Sequence, residues 1–426
     1  MLMLAIFIAL LAMISINVPI AVALAMSGVI GLLLTEGTSS LVTIALDMYD
    51  GSTKFSLIAI PMFVLAGAIM NAGGITDRLI NFVSSLIGFI RGGLAMVNIG
   101  VSLFFAEISG SAVADVAAMG SILIPQMKKR GYSKEFSAAV TSSSASLAII
   151  IPPSIPMILY AASANTSVEQ LFVAGVVPGL LGAAGLMGIA YLFARRYNFP
   201  TEDAFNLPRM RETFVDAMPA FVLPIIILGG IFGGFVTATE AAGLAVLAAL
   251  VVSAWYRDID FRHLRRAMLD GGMQTAVVML LVAASVLMGG FLTRAQIPQQ
   301  LAEGILSITT QQWAILLILN FFFLVIGFFL HSAAAIILVI PIVIPLITAA
   351  GIDPVHFGLV VTLNLAIGQQ TPPVASVLIT ACSVARANIW EVSKVNVWFV
   401  GVLLAVLMLS TYVPSVPMFL VEYFYR

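Results

Sequence analysis

Two double prolines lie within apolar segments that are long enough to cross a bilayer. Pro152-Pro153 follows Ala148-Ile-Ile-Ile151, and Pro372-Pro373 follows Gly368-Gln-Gln-Thr371. Proline has no backbone N–H and clashes with the preceding turn, so two in a row interrupt a helix and leave carbonyl oxygens without intrahelical partners. Lipid supplies no donors or counter-ions, so each break is expected to face a cation or a polar cavity. A kink between packed helices is the alternative, but two breaks at matching places favour a binding site.

Polar residues also lie in the middle of two apolar hairpin segments. Glu107-Ile-Ser-Gly-Ser111 lies midway along 93–127, and His331-Ser332 lies midway along 313–347. Such groups are costly in a membrane unless they line a cavity or are buried in protein. We interpret both segments as re-entrant helical hairpins with polar tips. Two ordinary spans joined by a short turn would have the same length.

Oxygen-rich breaks and tips are suited to binding ions. Carbonyl and hydroxyl oxygens are the ligands that a hard cation such as sodium prefers. Helix N-termini after Pro153 and Pro373 would point their positive dipole ends at an anionic group. The pattern therefore predicts a sodium-coupled carrier of an organic anion. The polar residues preceding each break could instead bind neighbouring helices together; they are Thr141 to Ser144, Ser146, Thr362, Asn364 and Gln369 to Thr371.

The composition is that of a membrane protein. Of 426 residues, 61% are hydrophobic and 9% are charged, where a soluble domain has about 25% charged residues. We predict ten full spans and two hairpins, with the apolar N-terminus as a retained first span. No long basic tract is present, which argues against nucleic acid as a partner.

The chain contains an internal repeat with an offset of 220 residues. At this offset Pro125 aligns with Pro345, Gly131 with Gly351, and the two double prolines align without a gap. We predict a first repeat over 1–196, a polar cytoplasmic link over 197–214 and a second repeat over 215–426.

The distribution of basic residues predicts that the two repeats are inverted. Lysine and arginine collect on the cytoplasmic side of a membrane. A topology with both termini in the periplasm leaves only three of the 19 basic residues outside, namely Lys54, Arg294 and Arg426. The two repeats must then have opposite orientations, as in many secondary transporters.

The predicted elements follow from this topology. The spans are 2–16, 19–34, 56–74, 135–163, 172–194, 215–235, 240–256, 272–292, 356–384 and 396–420, and 135–163 and 356–384 are the broken helices. Amphipathic arms along the interface are predicted at 76–91 and 297–311, and 36–54 and 257–270 are candidates for the same arrangement.

Five segments resemble the large membrane subunit, the DctM type, of tripartite ATP-independent periplasmic (TRAP) transporters. They are IPMFVLAGAIMNAGGI (60–75), ISGSAVAD (108–115), SLAIIIPPS (146–154), FVTATEAAG (235–243) and QQTPPV (369–374). The resemblance spans nearly the whole chain. It implies an inner-membrane protein that works by an elevator mechanism. The scaffold would be mainly 1–74 and 215–292, and the moving transport domain mainly 93–194 and 313–420.

The resemblance also implies partners and ion sites. The partners would be a small four-span DctQ-type subunit and a DctP-type periplasmic binding protein that delivers an organic acid anion, by default a C4-dicarboxylate or a sugar acid. At least two sodium ions are expected, with ligands at Ser109, Ala148, Ile151 and Pro152 and at Gly327, Gly368 and Thr371. The family often has glycine where this chain has Ala148, but a carbonyl ligand survives that change.

Candidate substrate residues surround the same features. They are Ser111, Ser144, Pro153, His331, Ser332, Asn364, Gln370 and Pro373. His331 could equally be a hydrogen-bonded structural histidine. Glu107 and Asp115 could bind a proton or a cation, or could face water or a partner near the hairpin tip.

Three other functions are weighed against this interpretation. A stand-alone dicarboxylate or arsenite carrier of the same superfamily would need no partner subunit. An intramembrane enzyme would need a nucleophile–base pair or metal ligands within the spans, and no such pattern is found among the three histidines. A channel is disfavoured because broken helices and opposed hairpins are typical of alternating access.

Overall fold

The chain folds into helices, and the prediction of an all-α polytopic membrane protein is confirmed. The computed structural model describes residues 2–16, 18–109, 111–199, 201, 205–257 and 261–425. Nine helical segments of this part are long and apolar enough to cross a membrane. The first half contains α1 (Leu2–Ser15), α2 (Ile20–Glu36), α3 (Ser40–Ser52), α4 (Ala59–Ala72), α5 (Ile75–Ile87), α6 (Gly93–Ser109), α7 (Ala112–Lys129), α8 (Lys134–Ala145), α9 (Ile155–Ala164) and α10 (Val168–Arg196).

The second half repeats this order with local differences. It contains α11 (Leu207–Ala217), α12 (Val222–Pro224), α13 (Gly230–Phe232), α14 (Ala238–Tyr256), α15 (Phe261–Arg294), α16 (Ile297–Ile308), α17 (Gln312–Phe329), α18 (Ser332–Ala349), α19 (Pro354–Gly368), α20 (Ser376–Ala385), α21 (Ile389–Tyr412) and α22 (Ser415–Tyr425). The hairpin α6–α7 therefore corresponds to α17–α18, and the broken helix α8/α9 corresponds to α19/α20.

The two hairpins enter from opposite ends of the broken helices. At the base of the first hairpin, Lys128 Nζ donates to the carbonyl of Ala385, at the end of α20 (3.1 Å). At the base of the second, the carbonyl of Pro354 accepts from the hydroxyl of Tyr160, near the end of α9 (2.7 Å). The broken helices are thus antiparallel, and each hairpin base lies where the other half's broken helix ends. This is the arrangement that inverted repeats require.

The halves differ in how their scaffold helices are joined. In the first half α3 ends at Ser52, and a short 3₁₀ turn precedes α4. The equivalent part of the second half is one helix, α15, of 34 residues. It includes 261–270, so the expectation that 257–270 lies as a separate arm is not met; 258–260 are outside the described residues. No proline interrupts 261–294, whereas in the first half Pro61 lies in the first turn of α4, just after the interruption between α3 and α4.

The polar link between the halves is partly helical. Its second part belongs to α11, which begins with Asn206 as an N-cap and packs along the arm helix α5. Arg78 of α5 pairs with Asp216 of α11 (3.3 Å) and lies over the ring of Tyr256. The arm α5 is therefore held against the C-terminal ends of α11 and α14.

Candidate functional site

The two hairpin tips meet in one cavity. The cavity has a volume of about 680 Å³ and is bounded by the tip residues Ser111, His331 and Ser332 and by Gln369 of the second break. Its other walls are largely apolar and come from α4, α7, α9, α15 and the turn before the first break; they include Val64, Val113, Ile149, Ile155, Met273, Val277 and Val278. We call this space the tip cavity.

The tip residues Ser111 and His331 occupy equivalent positions and play the same local role. Ser111 Oγ accepts from the N–H of Ala114 and caps α7, and His331 Nδ1 accepts from the N–H of Ala333 and caps α18 (3.5 and 3.4 Å). An imidazole whose Nδ1 is an acceptor carries its proton on Nε2. Neutral His331, which is exposed to the cavity, therefore offers an N–H donor to an anion.

Among the described residues, the first break leaves the carbonyl of Ala148 without a hydrogen-bond donor. The N–H groups that would bond the carbonyls of Ala148 and Ile149 belong in a helix to residues 152 and 153, and both are proline. The carbonyl of Ile149 instead accepts from Ser154 Oγ (2.7 Å). In the described part of the chain the carbonyl of Ala148 has no such replacement, and the residue is fully buried.

The second break is closed more tightly. The carbonyl of Gly368 accepts from the N–H of Thr371 (3.0 Å), and the carbonyl of Gln369 accepts from the N–H of Val377 (3.2 Å). Thr371 Oγ1 donates to the carbonyl of Ile367 (3.1 Å), which leaves its lone pairs free to bind a cation. Pro373 and Val374 are exposed, whereas Pro152 and Pro153 are buried.

Two glycines bring the second hairpin against the second break. A Cβ on Gly368 would lie 2.5 Å from the Cα of Gly327 and 3.0 Å from its carbonyl oxygen. Real Cβ atoms do not approach backbone this closely, so glycine is required at Gly368. Two predicted sodium ligands on different helices are therefore adjacent.

Gln370 connects the two breaks across the repeat boundary. Its Nε2 donates to Ser146 Oγ of the first half (2.6 Å), and its Oε1 lies 2.9 Å from Ser143 Oγ. Asn396 of α21 completes the cluster, with Oδ1 2.8 Å from Ser143 Oγ and Nδ2 donating to the carbonyl of Gln370 (3.3 Å). All four side chains are buried. The predicted residue Gln370 is thus placed between the breaks rather than in the tip cavity.

Smaller buried clusters lie at the base of each site. Ser144 Oγ donates to Asn98 Oδ1 (3.0 Å), and Asn364 Nδ2 donates to Asn320 Oδ1 (2.7 Å). Sequence reasoning missed Asn98, Asn320 and Asn396. Each is a lone amide in an apolar helix, and such an amide is a signal of interhelical bonding that could have been used.

The predicted residues thus fall into separate groups. Ser111, His331 and Ser332 line the tip cavity, whereas Ser144, Pro153, Asn364 and Pro373 do not. Asp115 is buried in the first turn of α7. Glu107 and Ser109 belong to α6, but their side chains are outside the described part of the chain, as is Gly110.

The tip cavity opens along one side of the molecule. A second cavity of about 590 Å³ shares Val64, Ala114, Ala117 and Gln274 with it and extends to Arg266 and Asp270. A third cavity of about 370 Å³, which contains Lys54 and Arg294, shares no lining residue with the tip cavity. One continuous cleft therefore leads from the tips towards Arg266.

Comparison with known families decides the assignment. Residues 7–416 match the family model described as the tripartite ATP-independent periplasmic transporter, DctM component. The chain belongs to this family. The resemblance in the sequence motifs is therefore confirmed, and the chain is a multi-pass TRAP large permease of the inner membrane rather than an enzyme.

Individual relatives agree with this assignment. The chain is 39% identical to the uncharacterized protein YgiK of Salmonella typhimurium over 95% of this chain and 94% of that one. It is 38% identical to the C4-dicarboxylate TRAP transporter large permease protein DctM of Pseudomonas aeruginosa, over 92% of each chain. The fold is similar to that in the crystal structure of the Alcanivorax borkumensis YdaH transporter, which is described as having an unusual topology. The two structures superpose with a TM-score of 0.64 over 89% of each chain. At 14% identity this last likeness concerns the fold alone.

Proposed function

We propose that this TRAP large permease is the translocating subunit of a sodium-coupled importer of organic acid anions. The observation that carries the proposal is the meeting of two opposed hairpin tips and two helix breaks around one cavity. Broken helices from inverted repeats are the usual construction of ion and substrate sites in secondary transporters. At least two sodium ions would bind, one near each break.

The sodium sites would use backbone and hydroxyl oxygens. In the first half the ligands would be Ser109, Ala148, Ile151 and Pro152. The carbonyl of Ala148 accepts no hydrogen bond from the described residues, which supports its assignment as a ligand. In the second half the close approach of Gly327 and Gly368 and the free lone pairs of Thr371 support the other site. Oxygen ligands are what a hard cation prefers.

The cargo would be held by neutral donors. Among the described residues that line the tip cavity there is no lysine or arginine, so an anion would bind to His331 Nε2–H and to the hydroxyls of Ser111 and Ser332. Relatives are named for C4-dicarboxylate, for sialic acid and for 2,3-diketo-L-gulonate, all of which are organic acids. We propose the same broad class here.

The structure would represent the inward-facing state of an elevator. With both termini in the periplasm, Arg266 lies on the cytoplasmic side and Lys54 on the periplasmic side. The continuous cleft then connects the tip cavity with the cytoplasm. In the opposite state the transport domain, mainly 93–194 and 313–420, would move along the scaffold and open the tips to the periplasm.

A DctQ-type small subunit and a DctP-type binding protein would complete the transporter. One relative, an isethionate TRAP transporter permease protein named DctMQ, is matched over only 64% of its length, which leaves room for a fused second component. A stand-alone carrier is the alternative. Sodium-dependent uptake into proteoliposomes that contain only this chain would contradict the tripartite proposal, and uptake that requires both partners would support it.

Removing a hydroxyl from either sodium site should weaken sodium activation. We expect Thr371→Ala and Ser109→Ala each to raise the sodium concentration for half-maximal uptake about tenfold, which corresponds to the loss of about 1.4 kcal/mol of binding free energy. Uptake is measured against sodium concentration in proteoliposomes with the partner proteins. Thr348→Ala is the matched control, because exposed Thr348 also donates to the carbonyl four residues earlier. Unchanged sodium activation in both site variants would contradict the assignment of Thr371 and Ser109 as sodium ligands.

A further inference from the structure

The third cavity and the cleft are lined by equivalent positions of the two repeats. Gly51 and Lys54 line the cavity on one side, and Gly271 and Gln274, each 220 residues later, line the cleft on the other. The third cavity and the cleft are therefore formed by equivalent parts of the scaffold in the two repeats. They differ in that the cleft reaches the tips and the cavity beside Lys54 does not.

Lys54 joins the scaffold to the first broken helix, α8/α9, beside the third cavity. It lies between α3 and α4, and its Nζ donates to the carbonyl of Ala162 (2.7 Å). Ala162 belongs to the last turn of α9, where carbonyls lack intrahelical donors and the helix dipole favours a cation. This bond connects two parts that must separate if the side beside Lys54 is to open.

Gln274 occupies the same position on the open side without such a bond. In the described part of the chain its side chain has no hydrogen-bond partner, and it is exposed in the cleft. The residue equivalent to Ala162 is Ser383, because α9 and α20 end at Ala164 and Ala385 and are each followed by a left-handed residue. In the opposite state Gln274 would face the end of α20 with a neutral amide instead of a charge.

We propose that Lys54 is a positioning residue that biases the carrier towards the state in which the side beside Lys54 is closed. The inference rests on the proposed function, since it requires two alternating states. Repeat symmetry alone would make the two closures similar in energy. A charged donor on one side and a neutral one on the other makes them unequal, because hydrogen bonds to charged groups are stronger.

The test measures how often the side beside Lys54 opens. Ile337 of α18 lines the third cavity and is only 6% exposed, so a cysteine there should react mainly in the opposite state. In full-length protein with Cys382→Ala and Ile337→Cys, the rate of labelling by a membrane-impermeant maleimide is measured in proteoliposomes with and without sodium. We expect Lys54→Met to raise the rate about fivefold and Lys54→Arg to leave it nearly unchanged.

Two further variants make the test specific. Gln274→Lys should also raise the labelling rate, because it adds a charged donor to the opposite closure. Lys394→Met, which removes only an exposed pair with Glu391 within α21, should not. If Lys54→Met labels like the parent while sodium still alters the parent's rate, the role of Lys54 is wrong and the transport proposal stands. If sodium leaves the parent unaltered, the alternating-access proposal fails, and the role of Lys54 fails with it.

Discussion

Gly368→Ala is expected to reduce sodium-dependent uptake to background and to destabilise the protein. The added Cβ would lie 2.5 Å from the Cα and 2.6 Å from the carbonyl carbon of Gly327, and neither backbone atom can move aside as a flexible side chain could. Overpacking of this kind costs about 1–3 kcal/mol, and here it also separates two proposed sodium ligands. Uptake and the midpoint of thermal unfolding in detergent measure the two effects.

The glycines of this chain supply graded controls for that prediction. A Cβ on Gly327 would meet the Cα of Gly368 at 3.0 Å, so Gly327→Ala should have a smaller effect. Gly401, in the middle of α21, has nothing within 4 Å of an added Cβ, and Gly401→Ala should be close to wild type. Equal behaviour of Gly368→Ala and Gly401→Ala would show that the close approach is not needed for transport.

Gln370→Ala is the second substitution with a large expected effect. It removes one hydrogen-bond partner from each of Ser146, Ser143 and Asn396, all of which are buried. Each of the three lost hydrogen bonds is worth about 0.5–1.5 kcal/mol, and the missing side chain leaves a buried cavity, so the free energy of unfolding should fall by about 2–5 kcal/mol. Because Gln370 joins the two breaks, maximal uptake should fall as well.

A matched glutamine separates this effect from a general loss of amide groups. Gln300 lies on the exposed face of the arm helix α16, and Gln300→Ala should leave the unfolding midpoint and uptake near wild type. The variant Gln370→Glu keeps the shape of the side chain but removes the donor to Ser146, so it should also be destabilised. Wild-type unfolding midpoints in both Gln370 variants would contradict the bridging role.

Much of the fold could be predicted because apolar segment length, helix-breaking prolines and the internal repeat can each be recognised in short stretches of the sequence. Apolar length predicts the spans, and two prolines predict a break wherever they occur in a helix. The register of Pro152-Pro153 with Pro372-Pro373 relates the halves without knowledge of their contacts. The prediction of a separate arm over 257–270 was wrong, since 261–270 belong to α15. Whether an amphipathic segment continues a helix or turns away from it depends on what the segment packs against.

The site itself was only partly predictable from the sequence. The segments that carry Ser111 and His331 were identified as tips because polar groups in an apolar hairpin are conspicuous. The hydrogen bonds that close the two breaks differently were not predicted, since they depend on Ser154 and Thr371 turning back towards particular carbonyls. The same limit applies to Asn396, which is far from Gln370 in the sequence but bonded to it in the fold.

The sequence by itself determined that this protein is a membrane permease with two inverted halves, two hairpins and two helix breaks. Those properties depend on hydrophobicity, proline geometry and charge, which act over a few residues at a time. Only the tertiary structure decided that Gln370 connects the breaks, that Gly327 and Gly368 touch, and that the cleft is open on one side. These features depend on contacts between residues far apart in the chain, and no local pattern specifies such distances.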